Sequence, residues 1–167
     1  MSDNKAVVGV VMGSNSDMPV MEACVAKLKD FGLSCEVRVI SAHRTPDIAH
    51  EYASTARDRG LKIIIAAAGM SAALGGVLAA NTTLPVIGVP MISGPLGGMD
   101  AALSTMQMPP GIPVASMAIG KPGAINAAIF AAEILGVSCE KMAGELATHK
   151  TQMAEKVQKA DQEIQEG

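Results

Sequence analysis

Ile40-Ser41-Ala42-His43-Arg44-Thr45-Pro46 is the stretch that decides how this chain is built. Before it, Glu36-Val37-Arg38-Val39-Ile40 alternates charged and apolar side chains and ends in β-branched residues, the pattern of a strand. After it, Pro46 and Asp47, preceded by Thr45 as N-cap, open a helix whose apolar positions are Ile48, Tyr52 and Ala56. Ser41, Ala42, His43 and Arg44 thus occupy a short loop between the C-terminal end of a strand and the N-terminus of a helix. In open α/β sheets that edge is where ligands bind. The pair is chemically apt: histidine exchanges protons near neutral pH, and arginine offers a permanent cation with a fork of donors for phosphate or carboxylate. The plainer use of the same residues is a solvated turn with Arg44 paired to an acid.

The same strand–loop–helix unit recurs on both sides. Ala6–Met12 is a continuous apolar run, as expected for a strand covered on both faces. Gly13-Ser14-Asn15-Ser16-Asp17 leads into a helix near Met18–Phe31, with Met21, Val25, Leu28 and Phe31 at helical spacing and Gly32 to end it. The second strand is Ser34–Ile40, and the second helix runs from Pro46 to Arg59, where Gly60 stops it. Leu61–Ala67 is a third strand, Met70–Ala80 a helix of small residues and Val86–Val89 a fourth strand. A glycine- and proline-rich loop, Pro90–Gly98, precedes a short helix around Met99–Met106. Pro113–Ala118 supplies the fifth strand and Lys121–Leu135 an alanine-rich helix. Five β-α units with short connections predict a three-layer α/β fold, a flavodoxin-like parallel sheet of order 2-1-3-4-5. Beyond this 6–135 core, Met142, Leu146, His149, Met153, Val157, Ala160 and Ile164 recur at three- and four-residue steps. They predict a C-terminal amphipathic helix over 138–165, with His149 packed in its stripe, and a single domain over 1–167.

Composition narrows the function. A net charge of -3 gives no basic footprint for nucleic acid, and Phe31, Tyr52 and Phe130 are too few to build base-stacking platforms. Cys24, Cys35 and Cys139 are scattered, which predicts reduced thiols, no structural zinc and a cytoplasmic setting. The N-terminal residues run straight into a strand without a signal-peptide pattern. From Ile63 to Gly120 the sole charged residue is Asp100. Gly69, Gly75, Gly76, Pro85 and Pro90 interrupt that run, so it reads as strands and helices and not as a membrane span. So much uncharged chain predicts burial between subunits, hence a homo-oligomer.

Two further loops carry chemistry. Gly13-Ser14-Asn15-Ser16-Asp17 offers outward backbone N–H groups, two serine hydroxyls and a helix N-terminus that favours an anion, while Asp17 suits vicinal ribose hydroxyls. Ser16 or Asp17 as a simple N-cap accounts for the same residues. The motif is neither GxGxxG nor GxxxxGK[ST], so dinucleotides and nucleoside triphosphates are not indicated. Ala68–Gly76 follows the third strand, and its small residues let a flat ring or small neutral molecule approach the backbone, or let a helix start pack closely. No Ser-His-Asp set is evident, and His43 and His50 lack a third ligand at metal spacing.

GSNSD after the first strand, SAHRTP after the second and the loop after the third, with PVIGVP and QMPPGIPV, resemble the PurE family of purine biosynthesis from about Val8 to Leu135. The resemblance implies an octamer acting on an aminoimidazole ribonucleotide. Its class I mutases move a carboxylate from the exocyclic amine to a ring carbon without metal, biotin or nucleotide, so no cofactor is expected. By the same resemblance His43 is the general acid/base, and Ser14, Asp17 and Arg44 bind ribose and phosphate. Ser16, Ser41, Ala42, Gly69 and Leu74 complete the expected substrate contacts, with carbon dioxide as the transient partner. In the third loop the chain departs from the class I pattern AGGAAHLPG: Ala73 replaces the histidine and Gly75 the proline. There it is nearer the class II pattern AGRSNALSG, with Met70 in place of arginine. The mutase is the expectation. The alternatives are a class II carboxylase using carbon dioxide directly, a carboxylase of a pyridinium mononucleotide, and a non-catalytic nucleotide-monophosphate binding module.

Overall fold

The computed structural model describes residues 5–167. Strands β1 (Val8–Met12), β2 (Cys35–Val39), β3 (Ile63–Gly69), β4 (Val86–Met91) and β5 (Ala115–Ser116) form one parallel sheet. Its order is β2-β1-β3-β4-β5, as the repeated β-α pattern predicts. Met12 at the end of β1 registers with Val39 on one side and Ala67 on the other, so three strands end level. Between β1 and β3 the direction of winding reverses, and the loops on either side diverge to open a crevice.

The helices are α1 (Met18–Asp30), α2 (Pro46–Thr55), α3 (Leu74–Ala80), α4 (Met99–Met106), α5 (Lys121–Gly136) and α6 (Glu140–Glu166). Right-handed crossovers put α1 on one face of the sheet and α2, α3 and α4 on the other. Side chains alternate across a strand, so Val11, Ile64, Ala66 and Val86 pack with Ala49, Tyr52, Leu74 and Leu78 on the α2–α3 face. Every residue of β1 is buried, as a strand sandwiched between helix layers requires. Cys24, on the buried face of α1, has its thiol pushed up to about 12 by burial, so it packs as a small hydrophobe.

The chain divides into two compact units, one ending at Ala131 and the other spanning Ala132–Gly167. The second holds the end of α5 and the C-terminal helix. Met142 and Leu146 are buried there, Leu146 lies against Gly136, and Lys150 Nζ sits 3.7 Å from Glu133 Oε1. Met153, Val157 and Ile164, the distal part of the apolar stripe, are exposed. Among the described residues no helix is long and apolar enough to cross a membrane.

Three expectations change in detail. The inward face of α2 is Ala49, Tyr52, Ala53 and Ala56, while Ile48 is 45% exposed. The helix expected from Met70 begins only at Leu74, because Met70 adopts a left-handed conformation (φ 54) that no right-handed helix can include. The fifth strand pairs only over Ala115–Ser116, flanked by the prolines that thin its ladder.

Glycine and alanine let α4 sit directly on β4. A Cβ at Gly88 would lie 2.2 Å from Thr105 Cγ2, and Thr105 cannot turn away without losing its buried hydrogen bond to the Ala101 carbonyl at 2.7 Å. Gly88→Ala should therefore destabilise the protein by about 1–3 kcal/mol in urea unfolding, as overpacked cores do. Gly144→Ala, on α6 with nothing within 4 Å of the added methyl, should instead stabilise it. Equal effects of the two changes would contradict this packing.

Candidate active site

Loops from the C-terminal ends of β1, β2, β3 and β4 surround a cavity of about 720 Å³, in the range that takes a small-molecule ligand. Gly13, Ser14, Ser16 and Asp17 line it from the first loop, and Ser41, Ala42, His43 and Arg44 from the second. Ala68, Gly69, Met70, Ser71, Ala73 and Leu74 come from the third, and Ser93 from the fourth. All the residues singled out in the sequence, His43, Ser14, Ser16, Asp17, Ser41, Ala42, Arg44, Gly69 and Leu74, thus meet at one place. Met70 and Ser71 belong to the Ala68–Gly76 loop singled out in the sequence, and Ser93 is an addition that carries no motif of its own. The nearest sequence signal for Ser93 is the glycine-rich composition of its loop.

The first loop is built around Ser14. Its backbone is extended, and its Oγ accepts from the Ser16 amide at 3.2 Å and the Ser16 hydroxyl at 2.8 Å, capping a 3-10 turn over Asn15–Asp17. Ser14 thus caps this turn, while Asp17 stands at the N-cap position of α1 without a side-chain bond to it. The Gly13 amide donates to the Ala67 carbonyl at 3.0 Å, which ties this loop to β3. Asp17 is only 6% exposed. Burial raises its carboxyl above the ordinary range, and a hydrogen bond with the Ser14 backbone offsets part of that rise.

The second loop closes on itself. Thr45 makes no side-chain bond to the helix it precedes; its Oγ1 accepts from the Ser41 amide at 3.0 Å and donates to the Ser41 carbonyl at 2.9 Å. Thr45 stands at the N-cap position of α2 as expected, but its hydroxyl clamps the loop and not the helix amides. Arg44 straps the two loops together: its Nε donates to Ser41 Oγ at 3.3 Å and its Nη2 to the Gly13 carbonyl at 3.1 Å. Behind the strap lies a shallower recess of about 350 Å³ that shares Gly13, Ser14, Ser41 and Arg44. His43 is exposed, and among the described residues no hydrogen bond holds its imidazole.

The third and fourth loops form the opposite wall. A Cβ at Gly69 would lie 2.3 Å from Ser93 Oγ, so only glycine lets the two loops approach this closely. Met70 is the one non-glycine residue with positive φ among the described residues, a placement that costs on the order of 1 kcal/mol. No group of three or more His, Cys, Asp or Glu among the described residues is arranged as a metal site.

A scan of known families matches residues 7–156 to the family described as AIR carboxylase. The chain belongs to that family. Among its relatives is the N5-carboxyaminoimidazole ribonucleotide mutase of Pyrococcus abyssi, 52% identical over 87% of this chain and 83% of the relative. The protein of the same name from Bacillus subtilis is 53% identical over 84% of this chain and 86% of its own length. The crystal structure of Treponema denticola PurE superposes with a TM-score of 0.84 at 30% identity, covering 93% of this chain and 96% of that one. The resemblance seen in the loop motifs is thus a family relationship across the α/β core.

Within an AIR carboxylase framework, the buried Asp17 has a measurable cost. Its raised pKa means that folding favours the protonated form, so the stability tied to this group is full below the unfolded carboxyl's titration and is lost as pH rises through the folded one. Asp17→Asn should therefore raise the thermal midpoint of the unliganded protein near neutral pH, with a smaller gain in mild acid. A lower midpoint at neutral pH would show that Asp17 is held by favourable partners and not against its desolvation.

Proposed function

We propose that this chain is an N5-carboxyaminoimidazole ribonucleotide mutase, moving a carboxylate from the exocyclic amine of its substrate to a ring carbon. The observation that carries the reading is one cavity with an imidazole, a guanidinium and a buried carboxylate on one wall and an apolar wall opposite, in a chain about half identical to such mutases. Arg44 suits the phosphate, with its fixed charge already aimed along the first loop. Asp17, Ser14 and Ser16 suit the ribose hydroxyls. Ser41 and Ala42 shape the second loop beneath the ring, with Gly69 and Leu74 across from them.

In the first half-reaction the carboxylate C–N bond breaks. Its electron pair returns to nitrogen, carbon dioxide is released, and protonated His43 gives the amine a proton. In the second half the ring carbon's electron pair attacks carbon dioxide, a C–C bond forms, and neutral His43 takes the ring proton. The histidine ends as it began, and no redox or external proton change is needed. An imidazole that no hydrogen bond among the described residues ties down is free to serve both atoms in turn.

Exposed apolar side chains support the same reading. Ile92 is 69% exposed, Leu96 62% and Met106 57%, all within the stretch whose sole charge is Asp100. Apolar surface of this kind marks an interface, and we assign it to contacts between copies in a cytoplasmic octamer. The thermal midpoint should then rise with protein concentration. A folded, active monomer in light scattering would end the assignment.

The deciding assay starts from carboxyaminoimidazole ribonucleotide without ATP or metal and follows the ring-carboxylated isomer. Activity only from aminoimidazole ribonucleotide plus bicarbonate would replace the mutase with a carboxylase, and binding without turnover in either format would leave a binding module. His43→Asn should lower turnover by about 10²–10⁴-fold, the usual contribution of general acid–base catalysis, while substrate still binds. Near-normal turnover would remove His43 from the proton-transfer role.

A further inference from the structure

We propose that the Met70 side chain is the barrier that holds carbon dioxide in the cavity between the two half-reactions. The inference rests on the mutase reading above and deepens it. Once the C–N bond has broken, carbon dioxide has no covalent tether and no charge. Capture by the ring carbon then competes with escape to solvent, and the walls set the rate of escape.

Met70 stands at the edge where such a molecule would leave. It lines the cavity beside Gly69, and its backbone is left-handed, which a glycine would adopt without strain. The core makes no use of its side chain, which is 57% exposed. That side chain instead reaches the fourth loop: its Cγ and Cε lie 3.8 and 3.9 Å from where a Cβ on Gly94 would be. Deeper in, Ser93 lies over Gly69. The gap between the third and fourth loops is therefore closed twice, by Ser93 within and by the unbranched thioether chain of Met70 outside. Ala68, Ala73 and Leu74 continue the same wall without a charged group, which suits a small neutral guest and not a phosphate. A strained position occupied by a flexible apolar side chain, spanning two loops at a cavity mouth, has a physical reason if that side chain is needed as a door.

The test uses full-length protein and substrate labelled with ¹³C at the transferred carboxylate. It measures how much label enters bulk bicarbonate for each product formed. Met70→Gly should raise that leak by roughly tenfold, corresponding to an escape barrier lowered by about 1.4 kcal/mol. Met70→Ala, which keeps the left-handed strain and removes the side chain, should leak equally, and Met70→Leu should retain label like the original. An unchanged or higher thermal midpoint in Met70→Gly separates lost closure from general loosening. Label retention unchanged in Met70→Gly and Met70→Ala, with turnover intact, overturns the proposal, as does a leak in Met70→Ala that Met70→Gly does not share. If the original protein forms no isomer, the mutase reading itself fails, an outcome distinct from either.

Discussion

A methyl group on Gly69 would lie 2.3 Å from Ser93 Oγ, and one on Gly88 2.2 Å from Thr105 Cγ2. These two approaches seat the fourth loop and α4 directly on the backbone of β3 and β4. Because Ala66 registers with Gly88 and Gly69 with Met91, they are coupled through one ladder. A displacement of α4 by the thickness of a methyl would move the strand that carries Ser93 and open the apolar wall of the cavity. Small residues supply little burial energy one at a time, so this part of the protein relies on close fit over many of them and not on a few large anchors. That is consistent with a core built almost without aromatic rings.

The layers and strand order were legible in the sequence because two signals agree throughout: continuous apolar runs for sandwiched strands, and prolines and glycines that begin and end the helices. Gly32 (φ 67) follows α1 in the left-handed conformation its position calls for, whereas α2 stops at Thr55, short of the expected Arg59, and Gly60 (φ 102) ends the turns that follow it. The polar side of the cavity was equally legible, since Ser14, Asp17, His43 and Arg44 are polar residues at strand ends, where a parallel sheet needs none for packing. The other wall was less so. Alanine, glycine and methionine look alike whether they fill a core or line a pocket, and Ser93 becomes visible only once β4 is seen beside β3. Ile48 illustrates the same limit: spacing identifies a helix, but neighbouring helices choose which of two adjacent stripes is buried.

The roles of Thr45 and Arg44 show why motif reading reaches a loop sooner than its mechanics. Both look like residues that serve the following helix or a ligand. In the fold Thr45 clamps Ser41, and Arg44 bridges to Gly13, so the two polar loops behave as one unit on one side of the point where the sheet reverses. Arginine has donors to spare for this, since a guanidinium carries five and the strap uses only part of them. A lysine at the same position would supply a charge but not the two-point geometry.

Two local costs gather at the cavity. Asp17 is buried against its own solvation, and Met70 is held left-handed. Each would be relieved by an ordinary change, the first to Asn and the second to Gly. Their meeting in the walls of one cavity is what a site under functional demand looks like in free-energy terms. The demands also divide by wall. Charge, hydroxyls and a proton carrier lie on the loops after β1 and β2, where a phosphorylated sugar needs them, and uncharged surface lies on the loops after β3 and β4, where a neutral fragment is best held by shape.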